Sequence, residues 1–202
     1  MAIDLTITNL FQFISALLPT LLIFFMVMIS IFNQDIKGLV YLAGILITSV
    51  INIFLLNTIK SQKDDNSSAS CNMFNLPFNM NNYNVPSLNS VLIAFTIAYL
   101  LLPMQASNQM NYVIIVALLS IFVIDAISKI MNKCTTIAGV IIGLLTGLLS
   151  GSLWYVLFHS TGLNSLLYFD EVVSNKTYCS RPKKQTFKCA VYKNGVLVSG
   201  TP

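Results

Sequence analysis

Charged residues are scarce in this sequence: only 9% of its 202 residues are Asp, Glu, Lys or Arg, whereas 55% are hydrophobic. A soluble globular domain has about a quarter of its residues charged. The deficit argues against a soluble protein and predicts that lipid covers much of the surface. The length suits one domain, which we expect to be an all-α multispan membrane bundle.

Histidine occurs only once, at His159, and the four cysteines are widely spread along the chain. A tetrahedral zinc site needs four nitrogen or sulfur ligands close together, so this pattern predicts no metal site and no cofactor. Cys179 and Cys189 are close enough in sequence to bridge the two strands of a hairpin. Two free thiols are the alternative.

Five apolar runs approach the roughly 20 residues that a helix needs to cross a bilayer. They cover residues 10–32, 38–59, 86–103, 112–127 and 135–158. We expect residues 1–159 to form the transmembrane helical domain. Pro19 lies inside the first run and could kink it, which membrane helices tolerate.

Residues 160–202 form a polar, basic extramembrane tail, because six of the eleven Lys and Arg residues follow Asn175. Two β-like runs, 186–192 and 196–199, flank the pair Asn194-Gly195, which is a strong hairpin signal. One hairpin alone is marginally stable in water. We therefore expect it to pack on the rest of the tail, on the membrane surface or on a partner.

Five spans place the connecting segments on two sides of the membrane. Face one, as we use the term, holds the N-terminus, loop 60–84 and turn 129–135, with four Lys. Face two holds turns 33–37 and 105–111 and the tail, with seven Lys and Arg. The positive-inside rule places face two, and therefore the tail, in the cytoplasm. On that topology only the sequon at Asn66 could be glycosylated, and the tail cysteines would face a reducing compartment.

A row of glycines runs along the fifth span at four-residue spacing: Gly139, Gly143, Gly147 and Gly151. Residues with this spacing fall on one face of a helix. Small residues there let the backbone of another helix approach closely inside a bilayer. The row predicts a helix-packing face, and pore lining is the alternative.

An acidic residue, Asp125, lies near the end of the fourth span, and Lys129 and Lys133 follow at four-residue spacing. An acid inside a membrane is expected to pair with a nearby base. A structural Asp–Lys pair is therefore our first interpretation. A proton- or ion-binding residue is the second.

Two short motifs on face one point to a known family. Pro86-Ser87-Leu88-Asn89 opens the third span, and Ser128-Lys129 precedes Thr135 and Gly139 at the start of the fifth. This layout resembles the type-2 phosphatidic acid phosphatases, helical membrane enzymes that remove phosphate from lipid phosphates. Their motifs read Pro-Ser-Gly-His, and Ser-Arg followed by a histidine. The resemblance covers residues 38–155.

The resemblance also indicates what is missing. In that family the second-motif histidine protonates the leaving oxygen and the third-motif histidine attacks phosphorus. Here Asn89 and Thr135 stand at those positions, and neither can exchange protons near neutral pH without a separate base. His159 belongs to face two. The resemblance therefore implies a pseudoenzyme with no catalytic residue.

A vestigial phosphate pocket could remain at the positions that match the family motifs, able to hold a phospholipid headgroup. Its residues would be Ser87, Asn89, Ser128, Lys129 and Thr135. The alternative is that these side chains cap helix ends or lie at the membrane interface.

The Asn- and Ile-rich style of the sequence resembles that of membrane proteins from large DNA viruses with an internal membrane. We therefore expect a non-catalytic structural component of a virion inner membrane, whose tail contacts capsid proteins or other membrane proteins. A lipid-phosphate binding or transport protein is the first alternative, and a residual lipid phosphatase is the second. The bilayer is the expected partner in each case, and nucleic acid is not.

Overall fold

The structure, a computed structural model, describes residues 7–63, 71, 83–168, 190–193 and 196–200. Five helices make up most of it: α1 (Ile7–Asn33), α2 (Lys37–Ile59), α3 (Leu88–Ala106), α4 (Tyr112–Met131) and α5 (Ile137–Ser160). All five are long and apolar enough to cross a membrane. The prediction of five long apolar helices is thereby confirmed, and they fit an integral multi-pass membrane protein.

The third helix, α3, lies at the centre of the bundle and contacts each of the other four. Its membrane-spanning window is 67% buried, whereas the windows of the other helices are 22–33% buried. Large apolar side chains such as Phe25, Phe54 and Leu153 are exposed on the outer helices. Lipid is therefore the expected neighbour of α1, α2, α4 and α5, while α3 is surrounded by protein.

The tight turn between α1 and α2 is built on Ser30 and Asp35. The Ser30 hydroxyl donates to Asp35 Oδ1 at 2.6 Å, and the Gly38 N–H donates to Ser30 Oγ at 2.8 Å. The Lys37 N–H also donates to Asp35 Oδ1, at 3.1 Å. These bonds satisfy the free N–H groups at the start of α2 and hold the two helices antiparallel.

An aromatic cluster fills the face-two half of the bundle, where Tyr41 of α2 lies against Phe95 and Tyr99 of α3. The hydroxyls of Tyr41 and Thr96 are hydrogen-bonded at 2.7 Å. Tyr168 completes the cluster.

The chain reaches that cluster after α5 through a short 3₁₀ turn, Asn164–Leu166. It then inserts Leu167 and Tyr168, which are both almost fully buried. The Tyr168 hydroxyl donates to the carbonyl of Met26. The core of the bundle therefore includes residues beyond the domain boundary predicted at residue 159.

Two short strands, β1 (Ala190–Lys193) and β2 (Val196–Gly200), pair antiparallel with Ala190 opposite Gly200. The turn between them and most of the tail lie outside the described residues. The packing of the hairpin tail therefore stays a prediction. The Cys179–Cys189 bridge falls outside the described residues as well.

Candidate functional site

Two residues of the predicted phosphate pocket lie where the beginning of α5 meets the beginning of α3. The Thr135 hydroxyl is buried and donates to the backbone carbonyl of Asn84 at 2.7 Å. The backbone N–H of Ser87 donates to the carbonyl of Gly139 at 3.1 Å. The resemblance assigns the nucleophile's position to Thr135. The Thr135 hydroxyl links the segment before α5 to the segment before α3.

The glycine row of α5 continues this contact along the length of α3. A β-carbon added at Gly143 would lie 2.9 Å from the Ser87 carbonyl, and one at Gly151 would lie 2.6 Å from the Phe95 carbonyl. At Gly147 it would collide with the carbonyl of Val91. The obstacles are backbone atoms that cannot rotate away, so α3 and α5 approach more closely than any side chain on this row would allow.

A third pocket residue, Asn89 of α3, contacts the buried acid of α4. Asn89 Nδ2 donates to Asp125 Oδ1 at 2.9 Å, and Asp125 is fully buried. The other carboxylate oxygen, Oδ2, has no hydrogen-bond partner in the structure as described. Lys129 lies one turn nearer face one and attracts Asp125 through space. The hydrogen-bond donor to this acid is thus Asn89 rather than the lysine that the spacing had suggested.

The turn between α4 and α5 places the remaining pocket residues. Ser128 is buried near the end of α4, and its carbonyl accepts from Asn132 Nδ2 at 2.8 Å. Lys133 has a left-handed backbone with φ 54°, and the Cys134 N–H donates to the Lys129 carbonyl at 2.9 Å. This geometry reverses the chain and brings Cys134 beside the end of α4.

A disulfide that sequence reasoning missed joins Cys134 to Cys71, with Cα atoms 5.2 Å apart. The base of the same loop is held by a hydrogen bond of 3.1 Å from the Asn84 N–H to the Ser61 carbonyl. A bridge between Gln62 and Tyr83 lies next to it. The two cysteines are 63 residues apart, and nothing in their spacing could have indicated the pairing.

Two lysines of face one lie close enough to repel each other. Lys63 follows α2, and its partial burial lowers the pKa of its ammonium group; the positive charge of Lys129 lowers that pKa further. Lys129 therefore interacts electrostatically with both the carboxylate of Asp125 and the ammonium group of Lys63. An anion placed between the two lysines would relieve their repulsion.

Two buried polar side chains inside the spans were also missed. Asn52 of α2 is fully buried, and neither of its side-chain polar atoms has a hydrogen-bond partner among the described residues. Ser15 of α1 is buried, and the same holds for its hydroxyl oxygen. A lone polar residue within an apolar run was the available signal, because polar side chains inside a membrane carry a cost.

Four of the five predicted pocket residues are thus divided between two helix contacts. Ser87 and Thr135 belong to the contact of α3 with α5, while Asn89 and Lys129 accompany Asp125 at the contact of α3 with α4. Ser128 lies in the last turn of α4. His159 is near the face-two end of α5, stacked on Tyr155 and 2.9 Å from Asn164 Oδ1. The contacts described for Thr135 include no side chain that could act as its general base.

Comparisons with known proteins give no relative: the chain matches no family model, no curated protein and no solved structure. Among the described residues, no group of three or more His, Cys, Asp or Glu side chains is arranged to hold a metal ion.

Proposed function

We propose that this protein is a non-catalytic membrane anchor on a phosphatidic acid phosphatase-like scaffold, whose tail binds a protein partner. The bond from the Thr135 hydroxyl to the Asn84 carbonyl carries the proposal. A hydroxyl nucleophile has to be accessible and needs a base beside it. Thr135 is buried, and its hydroxyl donates a hydrogen bond to a backbone carbonyl. Its position therefore suits helix packing rather than nucleophilic attack.

The orientation that we propose places face two in the cytoplasm. Face two has seven Lys and Arg and face one has four, and positive charge is retained on the cytoplasmic side. The Cys71–Cys134 disulfide supports the same orientation, because such bonds persist in oxidising compartments and it lies on face one. Charge and redox chemistry are independent arguments for one topology.

The tail is the part of the chain that we assign to partner binding. Six Lys and Arg residues follow Asn175, and a hairpin of this size needs a surface to pack on. We propose a virion inner membrane as the setting, because the style of the sequence resembles that of membrane proteins from large DNA viruses with an internal membrane. In that setting the tail would contact the capsid shell. The bundle fixes the root of the tail through Tyr168.

Truncation after Tyr168 tests this role, because it removes the tail and keeps the last core residue. We expect the truncated protein to remain in the membrane fraction and to lose cross-links to capsid-shell proteins. As a matched control, the double variant Lys183→Gln/Lys184→Gln keeps the full length of the tail and removes only two of its positive charges. Unchanged cross-linking of the truncated protein would contradict the proposed role.

A second candidate function, lipid-phosphate binding, is favoured by one observation. Lys63 and Lys129 are both partly buried on face one and repel each other, so a phosphate group between them would be stabilised. The site would lie at the vestigial phosphate pocket and would bind the phosphate group without hydrolysing its ester. Bound lipid would then have a structural or transport role.

Lipid carried through purification tests this second candidate. We expect native mass spectrometry to show a bound phospholipid that is lost when Lys129→Gln and Ser128→Ala are combined. Lys133→Gln changes a lysine of the same turn outside this pair, and it should retain the lipid. A lipid-free wild-type protein, or loss of lipid in the Lys133 control as well, would count against a specific headgroup site.

A further inference from the structure

The Cys71–Cys134 disulfide lies at the face-one end of the bundle, outside the membrane-spanning helices. It ties the loop between α2 and α3 to the turn between α4 and α5. Both cysteines are only partly buried, so the bond is not enclosed by the core. A disulfide is opened by a thiolate that attacks one of its sulfurs, and the rate depends on access to that sulfur. This bond is therefore placed to react with a thiol while the protein stays folded.

Hydrogen bonds hold Cys134 in place independently of the disulfide. The Cys134 N–H donates to the carbonyl of Lys129 at 2.9 Å. The hydroxyl of the next residue, Thr135, donates to the carbonyl of Asn84 at 2.7 Å. Neither contact uses a sulfur atom, so opening the disulfide does not break them. The Cys134 thiol then stays at the turn between α4 and α5.

The loop that carries Cys71 is likewise closed at its base without the disulfide. The Asn84 N–H donates to the Ser61 carbonyl at 3.1 Å, and Gln62 pairs with Tyr83 beside it. Cys71 is about ten residues from Ser61 along the chain. Such a short tether keeps the effective concentration of one thiol near the other on the order of millimolar. The geometry therefore favours re-formation of the same bond after it has been opened.

We propose that the Cys71–Cys134 pair is a reversible redox lock on face one. In the closed state, the S–S bond joins the α2–α3 loop to the α4–α5 turn. A dithiol opens the lock: it supplies two electrons and two protons, the S–S bond breaks, and the dithiol becomes a disulfide while Cys71 and Cys134 become thiols. An oxidising compartment closes the lock and a reducing one opens it. The lock does not depend on the tail or on the phosphate pocket.

Reduction and reoxidation of the folded full chain in nanodiscs test the lock. The double variant Cys179→Ser/Cys189→Ser is used, because every remaining thiol then belongs to the pair. We expect dithiothreitol to make both thiols available to alkylation while the far-UV circular dichroism stays unchanged. After the dithiol is removed, oxidised glutathione should restore the Cys71–Cys134 bond, which peptide mass spectrometry identifies.

Two local measurements separate an open lock from a loosened bundle. Trypsin should cleave after Lys133 roughly tenfold faster in the reduced protein, because Cys134 has then lost its covalent anchor. The Asn84 amide proton should stay protected from hydrogen exchange in both states, since its bond to the Ser61 carbonyl does not use the disulfide. Cleavage after Lys184 in the tail is the internal control and should be equal in both states.

The variant Cys71→Ser should show the fast cleavage after Lys133 with and without the dithiol. A bond that dithiothreitol opens only when the helices unfold would overturn the proposal, because the disulfide would then be a fixed structural cross-link. Equal cleavage after Lys133 in the oxidised and reduced forms of the Cys179→Ser/Cys189→Ser protein would overturn it as well. Reoxidation that fails to restore the Cys71–Cys134 pair would do the same.

Discussion

Two regions of the bundle treat polar groups differently: the contact of α3 with α5, and a set of polar residues that we call the polar layer. The polar layer consists of one residue from each of α1 to α4: Ser15, Asn52, Asn89 and Asp125. Along α5, glycines bring two backbones together, and the Thr135 hydroxyl and the Ser87 N–H are both hydrogen-bonded across the contact. In the polar layer, Asn89 donates to Asp125, and polar atoms of Ser15, Asn52 and Asp125 lack partners among the described residues.

This difference separates two kinds of buried polar residue. At the α3–α5 contact, van der Waals packing stabilises the bundle, and polar groups add bonds that fix the register of the helices. In the polar layer, burial leaves groups without a partner among the described residues, and each such group costs about 1–3 kcal/mol. The first region is therefore expected to be destabilised by any added side chain, and the second is expected to depend on how its polar groups are paired.

Filling the α3–α5 contact should have the largest effect. Gly147→Leu places a large side chain against the carbonyl of Val91, and no rotamer avoids a backbone obstacle. We expect loss of the folded bundle, and Gly147→Ala should lower the free energy of unfolding by about 3 kcal/mol. Denaturant unfolding in detergent measures both variants.

The exposed neighbour Leu145 provides the control for this prediction, because Leu145→Ala changes only the lipid-facing side of α5. It should change the free energy of unfolding by less than about 1 kcal/mol. Equal effects of Gly147→Ala and Leu145→Ala would mean that the close contact of α3 with α5 is not what holds the bundle.

Breaking the disulfide should have the next largest effect, and it acts at the face-one end of the bundle. Cys71→Ser removes a cross-link between residues 63 apart, which should lower the free energy of unfolding by about 4 kcal/mol. Cys134→Ser and the double variant should give the same value, because each removes the same bond. Mobility on non-reducing gels identifies the pairing.

The disulfide would be contradicted if reduction left the free energy of unfolding of the wild-type protein unchanged. Additive effects of the two single variants would contradict the pairing as well, since each cysteine would then act separately.

A double-mutant cycle on Asn89 and Asp125 measures how strongly these two side chains of the polar layer interact. Asn89→Leu leaves a buried carboxylate without its donor and should cost about 2–3 kcal/mol. Replacing both residues by Leu removes the unpaired charge, so the double variant should be close to wild type in stability. Equilibrium unfolding of all four proteins gives the coupling energy. Simple additivity would show that the two side chains do not interact.

The smallest expected effect concerns the root of the tail. Tyr168→Phe removes the hydrogen bond to the Met26 carbonyl and keeps the ring in the aromatic cluster, so it should cost about 1 kcal/mol. Truncation after Tyr168 should leave the stability of the bundle within about 0.5 kcal/mol of wild type. If that truncation destabilised the bundle as much as loss of the disulfide, the tail would belong to the core.

The spans could be predicted from sequence because hydropathy alone determines which segments enter a bilayer. The second run was placed at residues 38–59, and α2 covers Lys37–Ile59. The third was expected to end at Pro103, yet α3 continues to Ala106. A proline can lie inside a membrane helix when surrounding groups satisfy the freed carbonyl.

The site was less predictable, because its contacts join residues far apart in the chain. The glycine spacing indicated a packing face but could not identify α3 as the partner. The bond from Thr135 to Asn84 and the Cys71–Cys134 disulfide have no local signature. Asn52 could have been found, since an amide within an apolar span is a local and visible exception.

The most direct test of the account is phosphate release by the purified wild-type protein supplied with phosphatidate or a polyprenyl diphosphate. If Thr135 serves packing, release should not exceed that of the unfolded Gly147→Leu protein, and Thr135→Val should lower stability by about 1–2 kcal/mol. Release that depends on Thr135 and is absent in Thr135→Val would contradict the account, because the residue would then be acting on phosphate.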